Sequence, residues 1–378
     1  MAFPDHIILI GRFPPPPDGQ SMATKRLGNY LEERSTVHRV NTMIPAGASA
    51  WSKVQHYRAA GRTLAGLLER YPMAPILWTS ISPEPAGHFR DVLTIFPQLK
   101  DRRVIAVSHW GKFASVFEHS LTARSARRWL PRLDRIVFTA PSLSEACAAW
   151  LSPETRCVIP NTLDAALIPE ASRVTERITA GRGTPFKVLF LSNMIREKGW
   201  EDVLEAAALL KKDGMPLEWI FAGGWPKSSD RPLFDAAVTR LGLTDRVRYE
   251  GLIQDRFRIA ALHLEADLFV LPSWLREAQP LSIMEAMAAG TPCIVAEDGG
   301  MPAMIGATAD ASNESGAMAG RTVPARDPGA LAHAVATLIE SATWQQAASS
   351  ARRQFEERFS PAVVNMQWDH LIEEVAHA

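Results

Sequence analysis

Cysteine is scarce in this 378-residue chain, which holds only Cys147, Cys157 and Cys293, with no CxxC spacing. The shortage excludes a cysteine-paired zinc cluster and a disulfide framework, and it points to a reducing, cytoplasmic setting. Long apolar runs are missing too. The longest candidates are broken by Glu265, Asp267 and Arg276 before they reach the roughly 18 to 20 residues of a membrane span. The opening MAFPDHIILIGRFPPPPDGQ has no basic start and only a short apolar run, so a signal peptide is not expected and any membrane contact is peripheral. No GxGxxG follows the first predicted strand and no GxxxxGK[ST] occurs anywhere, which argues against a standard dinucleotide site and a P-loop ATPase. There is no DxD and no histidine cluster with metal-ligand spacing, so neither a metal nor another cofactor is expected. Net charge is absent as well: 41 Lys plus Arg balance 41 Asp plus Glu, unlike a nucleic-acid binder coated in basic charge.

What is present is ordinary globular composition, 47% hydrophobic and 22% charged, in a chain long enough for two domains. Short β-rich runs alternate with longer helical patterns, the signature of parallel sheets covered by helices. In the first half, strands are predicted at 6–11, 76–80, 104–108, 135–139 and 157–160, with helices at 21–33, 52–71, 112–130 and 142–151. In the second half, strands are predicted at 187–192, 218–222, 247–250, 268–271 and 292–296. The rhythm implies two consecutive doubly wound α/β units. Residues 165–185, punctuated by Pro169, Gly181, Gly183 and Pro185, read as the linker. The expected division is therefore 1–170 and 171–360. A last helix from Pro361, with Ser360 as N-cap, completes the chain at 361–378. Pro14 to Pro17 forbid a helix and force an extended approach to Gly19.

The most informative stretch is LFVLPSWLREAQPLSIMEAMAAGTPCIVAEDGGM, residues 268–301. A buried strand ends at Leu271, a loop carries Glu277, and Pro280 opens a helix that holds Glu285 and closes at Gly290. Loops at the carboxyl ends of parallel strands are where such sheets bind ligands. The amides of Leu281 and Ser282 at the helix start suit an anion, and two glutamates suit two hydroxyl-bearing parts of one ligand. Isolated glutamates are also ordinary solvated charges, and both readings stand on the sequence alone. In FLSNMIREKG, Lys198 is a cation at a helix start, where the dipole disfavours it unless an anion shares the site. Gly19 in GRFPPPPDGQS would let backbone approach a ligand at the first helix, whereas Gly223 and Gly224 read as a turn. His109 in SHWGKF and Asn161 in IPNTLD each end a predicted strand.

These residues resemble a known family. Glu277 to Glu285 as an E-x7-E element, the EAMAAGTPCIVAEDGGMP behind it, SNMIREKG, IPNTLD and the PPPxxG opening are similar to the retaining, nucleotide-sugar-dependent glycosyltransferases of family 4. The resemblance covers nearly the whole chain. It implies the GT-B fold, two Rossmann-like domains facing a central cleft, with the final helix crossing back onto the first domain. It further implies a hexosyltransferase that moves a hexose from a UDP- or GDP-linked donor to a saccharide or polyprenyl-linked acceptor in cell-surface polysaccharide synthesis, with retention and without a metal. The alternatives on such a scaffold are a nucleotide-sugar epimerase, a phosphorylase or a non-catalytic subunit. Residue by residue, Glu285 would bind the donor ribose, and Glu277 the transferred sugar and its oxocarbenium-like transition state. Lys198 and Gly19 would meet the diphosphate, with the amides of Leu281 and Ser282, and His109 would lie near the donor sugar. Asn161 would border the cleft. The chain departs from the family's GRxxxxKG by placing Asn193 at the arginine position, which leaves Asn193 or Arg196 to replace that contact.

The zero net charge conceals a division. Residues 1–170 carry 20 basic against 14 acidic residues, and the remainder carries 21 against 27. Nine basic and three acidic residues fall in Lys100–Arg135, including Arg124, Arg127 and Arg128. A basic first domain suits an anionic membrane surface or a solvated helix face equally.

Overall fold

The computed structural model describes residues 2–15, 18–45, 47–307 and 318–377. Contacts divide the chain into two units, Met1–Asn161 with Ala362–Ala378, and Thr162–Pro361. The division thus falls at Asn161 rather than residue 170. The reason is packing, since Leu163 and Leu167 are buried among Phe186, Leu262 and their neighbours in the second core.

The first unit is a six-stranded parallel sheet of β1 (His6–Gly11), β2 (Thr36–Asn41), β3 (Ile76–Trp78), β4 (Val104–Ser108), β5 (Arg135–Phe138) and β6 (Arg156–Val158). The spatial order is β2-β1-β3-β4-β5-β6. Ile7 to Ile10 and Val104 to Val107 are unbroken apolar runs because helices cover both sheet faces, leaving no wet side to demand alternation. The terminal helix Pro361–His377 belongs to this unit. Its Val364, Trp368, Leu371, Ile372 and Val375 pack with Ile7, Leu9, Leu27 and Leu31, and Tyr30 Oη donates to Asp369 at 2.8 Å.

The second unit repeats the plan with β7 (Phe186–Leu191), β8 (Leu217–Ala222), β9 (Val247–Tyr249), β10 (Leu268–Leu271), β11 (Cys293–Ala296) and β12 (Gly320–Val323). All pairings are parallel, in the order β12-β11-β10-β7-β8-β9. The chain reverses direction between β7 and β10, which makes their carboxyl ends the switch point of the sheet.

Five local expectations are corrected. Edge strands β2 and β12 were not expected, since the polar alternation of TVHRVN and the short GRTV lack an apolar run. In β2 only Val40 is buried. The segment read as a linker contains the helix Ala171–Ala180, anchored by buried Val174 and by Arg177, which donates to carbonyls of Leu264, Ala289 and Gly290. The helix expected over 112–130 is broken into Ser115–Glu118 and Ala123–Trp129, where Thr122 turns its hydroxyl onto the Val116 carbonyl at 2.7 Å. The one expected over 142–151 is helical only over Pro141–Glu145, and the helix Pro85–Thr94 was not expected. Pro16 and Pro17 of the proline run lie outside the described residues.

Candidate functional site

The loop leaving β10 is fixed by three neighbours before any side chain chemistry is considered. Trp274 N donates to the Glu197 carbonyl at 2.8 Å, and its indole Nε1 donates to Asp202 at 2.7 Å. Gly199 has φ +86, and a Cβ there would stand 2.6 Å from the Pro272 carbonyl oxygen. Gly300 N donates to the Glu277 carbonyl at 2.9 Å, while a Cβ on Gly299 would stand 2.2 Å from that same oxygen. Only glycine permits both approaches. The turn Arg196–Lys198 after β7 is thereby pressed against the loop after β10, and Lys198 Nζ forms an ion pair with Glu277 Oε1. Both side chains are 16% exposed. Ser273, fully buried, also reaches Glu277 Oε1 at 3.0 Å.

Glu277 is followed by the helix Leu281–Ala288, whose N-cap, Pro280, offers no side-chain acceptor. The amide of Ser282 therefore lacks the partner that a Ser, Asp or Asn cap supplies, and the amides of Leu281 and Ser282 sit at the positive end of the helix dipole. On the next turn Glu285 is buried, not a surface charge. Its Oε2 lies 3.3 Å from Nε2 of His263, a residue with no exposed surface on the helix Arg256–Glu265. A buried carboxylate needs such a partner, and one oxygen is left for a ligand. His263, Ser273 and Trp274 were not among the expected residues. No spacing rule links His263 to a glutamate 22 positions later; only the packing of two helices brings them together.

The residues meant to complete the anion site behave differently. Asn193 is exposed at the end of β7, and its carbonyl accepts from Ile195 N at 2.8 Å. Arg196 is turned to Glu201, with contacts of 3.0 and 2.8 Å, and that hydrogen bond raises its pKa. Gly223, read as a turn, has φ +143, and a Cβ there would lie 1.8 Å from the Ser192 carbonyl, so the SNMIREKG segment rests directly on it.

In the first unit, Gly19 opens the helix Gly19–Glu32 behind a reciprocal cap, with Ser21 N donating to Asp18 Oδ1 at 2.7 Å and Asp18 N to Ser21 Oγ at 2.9 Å. A Cβ on Gly19 would meet nothing within 4 Å, leaving open space beside the helix start. His109 follows β4 and is half-buried, with its Nε2 sequestered and without a hydrogen-bond partner. Burial pushes its imidazole down to about 4, against the opposing pull of nearby Asp18. Asn161 lies three residues past β6, at the limit of the unit.

Two Rossmann-like units, each with its polar loops at the carboxyl ends of a parallel sheet, define the GT-B class of fold. Residues 173–357, almost all of the second unit, match the family described as Glycosyl transferases group 1. The 2-deoxystreptamine glucosyltransferase of Streptomyces kanamyceticus is 29% identical over 195 residues, 50% of this chain and 49% of that protein. The D-inositol 3-phosphate glycosyltransferase of Corynebacterium efficiens is 30% identical over 195 residues, 50% of this chain and 43% of that protein. The chain thus spans about half the length of the curated relatives it matches. Over the whole chain the fold matches sucrose-phosphate synthase from Thermosynechococcus elongatus, with a TM-score of 0.73, 17% identity and coverage of 98% and 99%. It also matches Anabaena HepE in complex with UDP-glucose, with a TM-score of 0.70, 20% identity and the same coverage.

Proposed function

We propose that the protein is a retaining glycosyltransferase that moves a hexose from a nucleoside-diphosphate sugar to a saccharide or lipid-linked saccharide in polysaccharide synthesis. The observation that carries the reading is the convergence of Lys198, Glu277, an uncapped helix N-terminus and a buried Glu285 at the switch point of the second sheet. In this reading Glu285 binds the donor ribose, and the amides of Leu281 and Ser282 take the diphosphate with Lys198. The departing nucleoside diphosphate gains charge, so fixed donors stabilise the transition state more than the bound substrate. A lysine and a helix start supply that stabilisation without a metal. Entry of the diphosphate draws Lys198 from Glu277, freeing the carboxylate to face the sugar as positive charge develops at its anomeric carbon. His109, in the first unit, is held neutral at pH 7 by its burial. HepE, which shares the fold, was solved in complex with UDP-glucose, and a UDP-linked donor is therefore the first to test.

Thermal shift with UDP, GDP, ADP and dTDP tests the donor. A nucleotide at about 100 times its dissociation constant adds ~2.7 kcal/mol of stability. UDP raising Tm more than the others is the expected result, and no shift with any of them would overturn the reading. The anomeric configuration of the isolated product, read by NMR, tests retention.

A further inference from the structure

Arg326 occupies a backbone conformation that its side chain does not favour. It lies in the loop after β12 with φ +60, and among the described residues only Asp101 shares the left-handed region without being glycine. An L residue there is strained, and such strain persists where the surroundings hold it. The next residue, Asp327, caps the helix Pro328–Ile339, its carboxylate accepting from Ala330 N at 2.8 Å. That cap fixes the backbone but asks nothing of the side chain at 326, where glycine would sit without strain.

What the arginine adds is a contact across the fold. Its guanidinium carbon stands 3.9 Å from the centre of the Trp274 ring, the shortest such cation–ring distance among the described residues. The indole is already held at its edge, where Nε1 donates to Asp202 at 2.7 Å from the first turn of the helix Trp200–Lys212. A carboxylate in the ring plane and a cation over the ring face together leave Trp274 one orientation. Arg326 reaches it from two strands away in the order β12-β11-β10, which joins a third loop to those after β7 and β10.

The backbone of Trp274 carries this constraint to the candidate site. Trp274 N donates to the Glu197 carbonyl at 2.8 Å, and Ser273 Oγ lies 3.2 Å from that carbonyl and 3.0 Å from Glu277 Oε1. Glu197 directly precedes Lys198, so one carbonyl locates both members of the Lys198–Glu277 pair. Rotation of the indole would displace Ser273 and the carboxylate with it.

We propose that Arg326 is a positioning residue, which by clamping the Trp274 ring fixes the Glu277 carboxylate for sugar transfer; the assignment rests on the transferase reading. Arg326 acts through Trp274 and Ser273. The left-handed backbone at 326 is the conformation that carries its cation to the ring.

Three substitutions in the full chain separate this role from a structural one. Arg326→Ala removes the guanidinium and keeps the left-handed strain, Arg326→Gly removes both, and Arg326→Lys keeps a cation for the ring. Nucleotide release from UDP-glucose, UDP-galactose and GDP-mannose, with water as acceptor, gives kcat and donor KM, and Tm is measured beside them. Arg326→Ala and Arg326→Gly are expected to lower kcat alike, by about tenfold or more, with donor KM changed by about twofold or less. Arg326→Gly is nevertheless expected to melt above Arg326→Ala, and Arg326→Lys to recover most of the lost kcat. A purely structural role would make activity follow Tm, so a kcat restored from Arg326→Ala to Arg326→Gly in step with Tm would overturn the assignment. An active wild type matched by all three variants would overturn it and keep the transferase reading. A wild type that releases nucleotide from none of the three donors would overturn that reading and the assignment with it.

Discussion

Lys198 and Glu277, 79 residues apart in sequence, form an ion pair across the loops that leave β7 and β10. Each is the other's main compensation in a largely enclosed place, so removing one strands its partner. Lys198→Ala is expected to lower stability by about 1–3 kcal/mol, less than a fully buried pair because both groups keep some solvent access. The double variant Lys198→Ala with Glu277→Gln is expected to recover part of the lost Tm and none of the sugar transfer. Thermal denaturation beside a transfer assay separates the two effects, and a double variant no more stable than Lys198→Ala would show that the pair is not coupled.

His263 touches Glu285 from a position with no solvent access. Its role is therefore to orient the carboxylate rather than to meet the donor. His263→Phe keeps the packing volume and removes the hydrogen bond, which is expected to raise the donor KM about tenfold with a smaller change in kcat, the pattern of lost ground-state binding. Glu285→Ala is expected to lose more. A His263→Phe enzyme with unchanged donor KM would end the assignment.

The two-unit organisation was legible because strands such as Ile7–Ile10 and Leu268–Leu271 are apolar on both faces, a pattern that edge strands do not share. Thr36–Asn41 and Gly320–Val323 each hydrogen-bond to one neighbour only, keep polar side chains, and so leave little trace in the sequence. Helix 171–180 was hidden for another reason, since its burial rests on Val174 and on an arginine satisfying carbonyls from two other segments. At the site, Glu277, Glu285 and Lys198 were readable as a spaced motif. Their partners His263 and Ser273 were not, because hydrogen bonds across the fold have no sequence period.

Gly299 takes φ +68 and holds its α-carbon against the Glu277 carbonyl. Gly299→Ala adds the left-handed penalty of about 1–2 kcal/mol and a methyl where the carbonyl oxygen stands. The loop must shift, and Glu277 with it. Transfer activity is expected to fall by two orders of magnitude or so, out of proportion to the loss of Tm, as positional errors of an ångström can cost ~100-fold. Gly19→Ala, where a Cβ meets nothing, serves as the comparison: it is expected to leave Tm unchanged.

His109 has a folded pKa of about 4, below the ordinary 6.5 of histidine, because burial penalises the imidazolium. Between those values the unfolded chain binds a proton that the folded chain refuses. Its contribution to stability is therefore complete above about pH 6.5, declines as pH falls, and is gone below about 4. Between pH 7 and pH 5 the wild type is expected to lose about 1–2 kcal/mol more than His109→Gln, measured by urea denaturation at both pH values. Equal losses would show that His109 titrates alike in both states.

Arg124, Arg127 and Arg128 are exposed at i, i+3 and i+4 of the helix Ala123–Trp129, and Leu121, 61% exposed, precedes them. Arg128 and Arg132 both lie over the Trp129 ring, at 5.9 and 5.5 Å, so cations and apolar surface are joined in one patch. The patch suits an anionic lipid surface, where each cation contributes about 1 kcal/mol. Changing Arg124, Arg127 and Arg128 to Ser is then expected to weaken binding to phosphatidylglycerol vesicles by roughly 100-fold, about 3 kcal/mol. Wild-type co-sedimentation should also decline between low and 0.5 M salt as the Debye length contracts toward a few ångströms. Transfer to a soluble acceptor should be unaffected, since none of the three arginines lies on the donor loops. Vesicle binding that survives the triple substitution would assign this face to solvent alone.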